Sequence, residues 1–302
     1  MPDVNAPAEK KIKLIINRIH NLPTPPIVFT QVNKVLNDPK TSAYQIGAII
    51  SEDPALSAKI LKLTNSSFYG IPRTITSVKQ AIVILGLDVV RSLVLSASVF
   101  ESFSKQYKID KNYLDDFWRH SLSVAFMARI ISRTKNFPSF MEAEEAFSAG
   151  LLHDIGKLVI FAHMPEQFTE MRRILSEDRS KASYEVEEQI LEFDHSLVGS
   201  YLAQKWNLPP ELANAIKFHH FPDQDENQSF TTYIIHLSDY LAKKAEMTME
   251  DPDEPVDSSI LSCHASAWEK LGIGQDQEEN LIQLLRTEYT KAETFLNMAR
   301  GM

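Results

Sequence analysis

Cysteine is almost missing from this chain: Cys263 is the only one in 302 residues. A single thiol excludes a disulfide framework and a zinc site built on cysteines. A basic excess is missing as well. Lys and Arg number 31 against 40 Asp and Glu, a formal net charge of −9. That balance excludes a general nucleic-acid binder, which needs a basic face, and Arg73, Lys79 and Arg91 do not form one. No stretch approaches the roughly 18 continuous apolar residues of a membrane span. The opening MPDVNAPAEKKIK lacks the apolar run of a secretory signal. These absences together give the expectation of a reduced, cytoplasmic setting. Alternating strand patterns of useful length, internal repeats and low-complexity tracts are absent too.

What is present is helical periodicity. The chain is long enough for two domains that each bury a core, and its 44% hydrophobic and 24% charged residues suit a globular protein. Ile12, Ile15, Ile16 and Ile19 recur at helix spacing until LPTPPI breaks the run. Val28, Val32, Val35 and Leu36 make a second stripe. Thr41 or Ser42 can cap a helix carrying Ile46, Ile49 and Ile50, and Asp53–Pro54 can start the next, with Leu56, Ile60, Leu61 and Leu63 inward. Two short helices follow Gly70-Ile-Pro72, through Val78–Leu85 and Leu87–Val94. Longer stripes run from Phe117 to Ile131, Glu142 to Phe161, Pro165 to Ser176, Ser183 to Trp206, Pro210 to Phe218, Thr231 to Lys244 and Glu278 to Ala299. The polar KQYKIDKN near residues 105–112 predicts a boundary between domains 1–110 and 111–302. FPDQDENQS (221–229) and EDPDEPVDS (250–258) read as acidic, mobile loops. The expected class is all-α, in two domains.

Against this apolar background certain polar residues do not fit. His120, His153, Asp154, His195, His219, His220 and Asp239 lie on helices otherwise rich in Leu, Ile, Val and Phe. Any one buried histidine can be satisfied by a carbonyl. Seven together are costly without a shared purpose, because each buried unsatisfied polar group costs about 1–3 kcal/mol. A metal centre inside a helical bundle answers this. Imidazole and carboxylate ligands without thiolate suit Fe, Mn, Zn, Co or Ni, and seven donors exceed the four of one tetrahedral zinc, so two metals are expected. In LLHDIGK, placed on a helix, His153 and Asp154 point about 100° apart and can reach a metal pair from two sides, with Asp154 bridging. Lys157 shares the face of Asp154 at i+3 and either pairs with it or neutralises phosphate oxygens. His236 reads as an orienting partner, Asp194 as an orienter of His195 or a helix cap, and Trp118 and Trp206 as core. The Asn65–Tyr69 stretch reads as turn chemistry.

The order His120 … His153–Asp154 … Asp239 resembles the HD superfamily of metal-dependent phosphohydrolases. LPTPPIVFTQVNKVLNDP, IISEDPALSAKILKLTNSSFYG and ITSVKQAIVILGLDVVR, followed by FWRHS, AGLLHDIGKLVI, DHSLVGSYLAQKWNLPPEL, AIKFHH and YIIHLSDYLA, resemble its HDOD (HD-related output domain) branch over nearly the whole chain. The resemblance implies a helical N-terminal domain packed on an HD-type bundle, in a bacterial signalling protein that contacts a signalling partner through the N-terminal domain. HDOD proteins often lack HD ligands and serve as output modules. This sequence keeps all seven positions, which resemble the ligand set of two-metal phosphodiesterases that cleave cyclic di-GMP. Carried over, His120, His153 and Asp239 would serve one metal, and His195, His219 and His220 the second metal or its substrate side. Asp154 would bridge, and Lys157 would lie near a substrate phosphate. The implied cofactor is two divalent transition-metal ions, Fe or Mn first and Ni, Zn or Co next, and the implied ligand a nucleotide or other phosphoester. The Gly-Tyr-Pro signature of those phosphodiesterases is absent after His220, which argues against cyclic di-GMP itself.

Overall fold

The computed structural model describes residues 30–32, 35, 42–65, 71–87, 89–95, 111–134, 140–178, 180–227, 229–250 and 263–288. All regular structure among them is helical, as the periodicity predicts. The stripes through Ile12–Ile19, the 105–110 part of the expected boundary, the loop beyond Glu250 and the end of the last stripe lie outside the described residues. The chain forms two compact units, described separately below: Pro25–Leu151 with the segment from Gln277, and Leu152–Asp276 with the chain start.

In the first unit, α1 (Ala43–Ser51), α2 (Pro54–Thr64) and α3 (Val78–Leu85) pack on one another. Ser42 starts α1 with a reciprocal cap: its hydroxyl accepts from the Gln45 N–H, and the Gln45 side chain accepts from the Ser42 N–H at 2.9 Å. Asp53 caps α2 with a single bond, accepting from the Leu56 N–H at 3.0 Å, with Pro54 as first residue. Ile46, Ile50, Leu56, Ile60, Val78 and Ile82 form the core these caps align. Asn65, just after α2, accepts from the Ile75 N–H and donates to the Ile75 carbonyl, both at 2.7 Å. The long α4 (Lys111–Thr134) and α5 (Phe140–Leu152) follow. Phe126 meets Phe147 edge-on at 5.8 Å, and Trp118 is buried, as expected.

The second unit holds α6 (Ile155–His163), α7 (Pro165–Glu177), α8 (Ser183–Leu191), α9 (His195–Lys205), α10 (Pro210–Phe218), α11 (Phe230–Glu250) and α12 (Ala265–Leu271). Helix α9 is the hub, packed against α6, α8 and α10; α10 packs on α11, and α11 on α12. Two of the expected continuous stripes are broken. The run from Glu142 to Phe161 stops at Leu152 and restarts at Ile155, so His153 and Asp154 occupy a turn rather than a helix face. The run from Ser183 to Trp206 stops at Leu191, where Glu192 adopts a left-handed φ of 68° and reverses the chain. Trp206 is core, as expected. The acidic 221–229 segment is not a loose loop. Asp225 is buried in it and accepts from Thr232 Oγ1 at 2.6 Å and from the N–H groups of Asn227 and Ser229.

Candidate metal centre

Three breaks in helical structure deliver the candidate residues within the second unit. The α5–α6 turn carries His153 and Asp154, the start of α9 is His195, and the end of α10 runs into His219 and His220. Asp239 projects from the middle of α11. Gly156 brings the first two together: a Cβ at that position would overlap the carbonyl oxygen of His195 and stand 2.8 Å from the Gly199 nitrogen. A Cβ on Gly199 in turn would lie 2.9 Å from Ile216 of α10 and 3.2 Å from Ile155 of α6. The glycine pair thus lets α6, α9 and α10 approach closely enough for their polar residues to meet.

Asp154 is at the middle of the cluster and 2% exposed. Its Oδ1 lies 2.9 Å from His195 Nε2 and 3.7 Å from His219 Nε2; its Oδ2 lies 3.4 Å from His153 Nε2 and 2.7 Å from Lys157 Nζ. His153 Nε2 stands 3.7 Å from Asp239 Oδ1. His195 Nε2 faces His219 Nε2 at 3.4 Å and His220 Nε2 at 3.0 Å. Two triads therefore share His219: His195, His219 and His220 form one, and His153, Asp154 and His219 the other. Six of the seven residues singled out in the sequence are gathered here. His120 stands half-buried on α4, in the other unit.

Hydrogen bonds outside the triads set the direction of the rings. His219 Nδ1 donates to the Ile216 carbonyl at 2.8 Å, so its Nε2 carries the lone pair. His236 donates through Nδ1 to the His219 carbonyl at 2.7 Å and accepts at Nε2 from the His264 N–H at 3.0 Å. Both bonds are to backbone groups, one of them on the candidate ligand His219, and neither is to Asp239. Asp194 caps α9, accepting from the Leu197 N–H at 2.9 Å and from Ser196 Oγ at 2.7 Å. The carboxylate on the His195 ring is instead Glu187, 2.6 Å from Nδ1. Lys243, bound to Asp239 Oδ2 at 2.7 Å, is a second neighbour the sequence did not single out. Glu187 lies four residues before buried Leu191 on α8, but Glu188 lies three before it, so helical spacing alone does not single Glu187 out; its burial does.

The electrostatics suit metal ligation. Burial and then the neighbouring imidazoles push His219 and His220 well below the usual histidine range, leaving both neutral. Burial would raise Asp154, but His153, Lys157 and His195 outweigh it and hold the carboxyl well below its ordinary value. Burial likewise opposes charge on His195, and the Glu187 carboxylate overcomes it, raising the ring to about 9. A divalent cation competes with that proton for the same lone pair. Two donors bound to one cation at about 2.1 Å stand about 3.0–3.4 Å apart in octahedral or tetrahedral geometry, the spacing His195 Nε2 makes with His220 and His219. The donor set fits the group. A cavity of about 400 Å³ near Asp194, Leu197, Phe218 and Phe221 has none of the seven in its lining and is separate.

Comparison with known proteins bears on the fold and the family. An uncharacterized protein of Treponema pallidum is 25% identical over 264 residues, 86% of this chain and 49% of that one; this chain thus spans about half of that relative. The crystal structure of an HDOD domain protein with unknown function from Geobacter sulfurreducens superposes with a TM-score of 0.74 at 24% identity, over 98% of each chain. That of a candidate phosphohydrolase from Shewanella amazonensis does so at 0.74 and 23%, covering 96% of this chain and 98% of its own. These likenesses show the fold. The HDOD domain family itself matches residues 22–222, about two thirds of the sequence, and on that match the chain belongs to the HDOD family.

Proposed function

We propose that this chain is a signal-transduction output module whose His/Asp cluster holds two divalent transition metals and takes a phosphoester ligand. One observation carries the reading. The two oxygens of Asp154 face different partners, Oδ1 toward His195 and His219 and Oδ2 toward His153, as a carboxylate shared by two metals must. His195, His219 and His220 would hold one ion, and His153 and Asp239 the other. The sequence resemblance adds His120 to the second set. Imidazole and carboxylate donors without a thiolate suit Fe, Mn, Zn, Co or Ni, and the sequence resemblance puts Fe or Mn first. When bound, such ions polarise a phosphoryl group and acidify water. The residues supply the rest. Asp154 and Asp239 place negative charge that holds cations, Glu187 and the Ile216 carbonyl orient the rings, and Lys157 sets an ammonium beside Asp154.

Hydrolysis is the stronger form of this reading, and Lys157 favours it. Its side chain, 18% exposed, is the less buried partner of the pair with Asp154 and sets a cation beside the centre where a phosphate would be neutralised. The test is a panel of cyclic nucleotides, linear dinucleotides and phosphomonoesters with manganese- or iron-loaded protein beside Asp154→Asn. Metal-dependent turnover by the wild type that falls at least 100-fold in the variant supports catalysis. Turnover unchanged in Asp154→Asn contradicts it. Ligand binding without turnover leaves the output module alone.

A further inference from the structure

We infer that Glu187 is the positioning residue of this centre, fixing His195 with its proton on Nδ1 and Nε2 turned toward Asp154, His219 and His220. The inference deepens the metal-centre reading and rests on it for its purpose, though not for its geometry. A single carboxylate oxygen, Oε2, accepts both from the His195 backbone N–H at 2.7 Å and from His195 Nδ1 at 2.6 Å. Glu187 is 6% exposed, in a stretch where Val186, Leu191 and Phe193 are buried as well. A carboxylate is put in such a place only against strong donors. The left-handed Glu192 turns the chain so that α8 runs back past the first residue of α9, which brings Glu187 to His195.

A helix cap alone does not explain the arrangement. Asp194 already caps α9 through Leu197, and a cap needs no contact with the ring. Nor is Glu187 isolated in facing the centre. Tyr184, three residues earlier on the same helix face, stacks on His220 with ring centroids 4.4 Å apart. Helix α8 thus braces two imidazoles of one triad, one by charge and one by ring contact. With Nδ1 occupied, Nε2 is the only His195 nitrogen that can offer a lone pair, and the carboxylate makes that lone pair more basic.

The test uses the full chain as wild type, Glu187→Gln and Glu187→Ala, with far-UV circular dichroism confirming the fold. In chelator-treated protein the His195 Nδ1 proton is expected as a slowly exchanging, far-downfield NMR resonance. It moves upfield in Glu187→Gln, where the acceptor is neutral, and vanishes in Glu187→Ala. In a cobalt(II) titration, affinity falls about 10- to 100-fold in Glu187→Ala, with a changed visible spectrum, and by a smaller factor in Glu187→Gln. Glu187→Gln is nearly isosteric, so it decides the matter if the alanine variant does not fold. A wild-type resonance and wild-type cobalt affinity in Glu187→Gln overturn the inference. A wild type that binds no cobalt contradicts the metal-centre reading instead, and the Nδ1 resonance then decides the role of Glu187 by itself.

Discussion

His219 can offer only Nε2, because Nδ1 is taken by the Ile216 carbonyl, and that nitrogen lies within reach of both His195 and Asp154. Single-atom commitments of this kind separate a ligand cluster from a group of satisfied core histidines. Lys157 tests the distinction. Its ion pair with Asp154 at 2.7 Å is all but buried on the carboxylate side, at 3% side-chain exposure. Breaking a buried pair by removing one partner costs about 3–5 kcal/mol. Lys157→Met is expected to lower stability by about 3 kcal/mol in chelator-treated protein and by less than about 1 kcal/mol after manganese is added, since bound cations then balance Asp154. Denaturant melts with and without the metal measure this; an equal loss in both would mean that no cation shares the carboxylate. The histidines and aspartates of the centre were legible in the sequence because each interrupts an apolar stripe. Glu187 was not, because it is one of three glutamates in YEVEEQ and only burial tells it from Glu185 and Glu188.

At the scale of elements, the stripes from Pro165 and Pro210 match helices to within a residue, and the stripe from Thr231 matches a helix that continues past Lys244 to Glu250. The breaks at His153–Asp154 and at Glu192–Asp194 were not legible, since apolar periodicity runs straight through both. They come from packing: α6 must start where Gly156 can meet the His195 carbonyl, and α8 must stop where α9 turns back. Gly156 is therefore an element-scale residue, although the sequence shows it only as a small residue beside the histidine–aspartate pair. Gly156→Ala forces α6 and α9 apart by a backbone overlap that no rotamer relieves. A loss of about 2–3 kcal/mol is expected, as for an overpacked core, together with weaker metal binding because Asp154 and His195 separate. Thermal melts and a metal titration measure the two effects. A variant with wild-type stability and metal affinity would show that the crossing is not what sets the centre. The ordering of 221–229 by buried Asp225 was hidden for a similar reason: an acidic stretch reads as solvated until one of its carboxylates finds Thr232.

For the molecule as a whole, composition set the useful exclusions. A charge of −9 and one cysteine leave imidazole and carboxylate as the available metal ligands. Among the described residues no helix is long and apolar enough to cross a membrane. Membership of the HDOD family followed from motif order and the helical class from apolar periodicity. The central claim, a two-metal centre, is tested most directly by elemental analysis of the full chain, purified without chelator or metal-affinity resin, beside His153→Ala. About two transition-metal ions per wild-type chain are expected, with a sharp fall in the variant. A stably folded wild type that carries no metal, and takes none up when manganese, iron or zinc is offered, would contradict it.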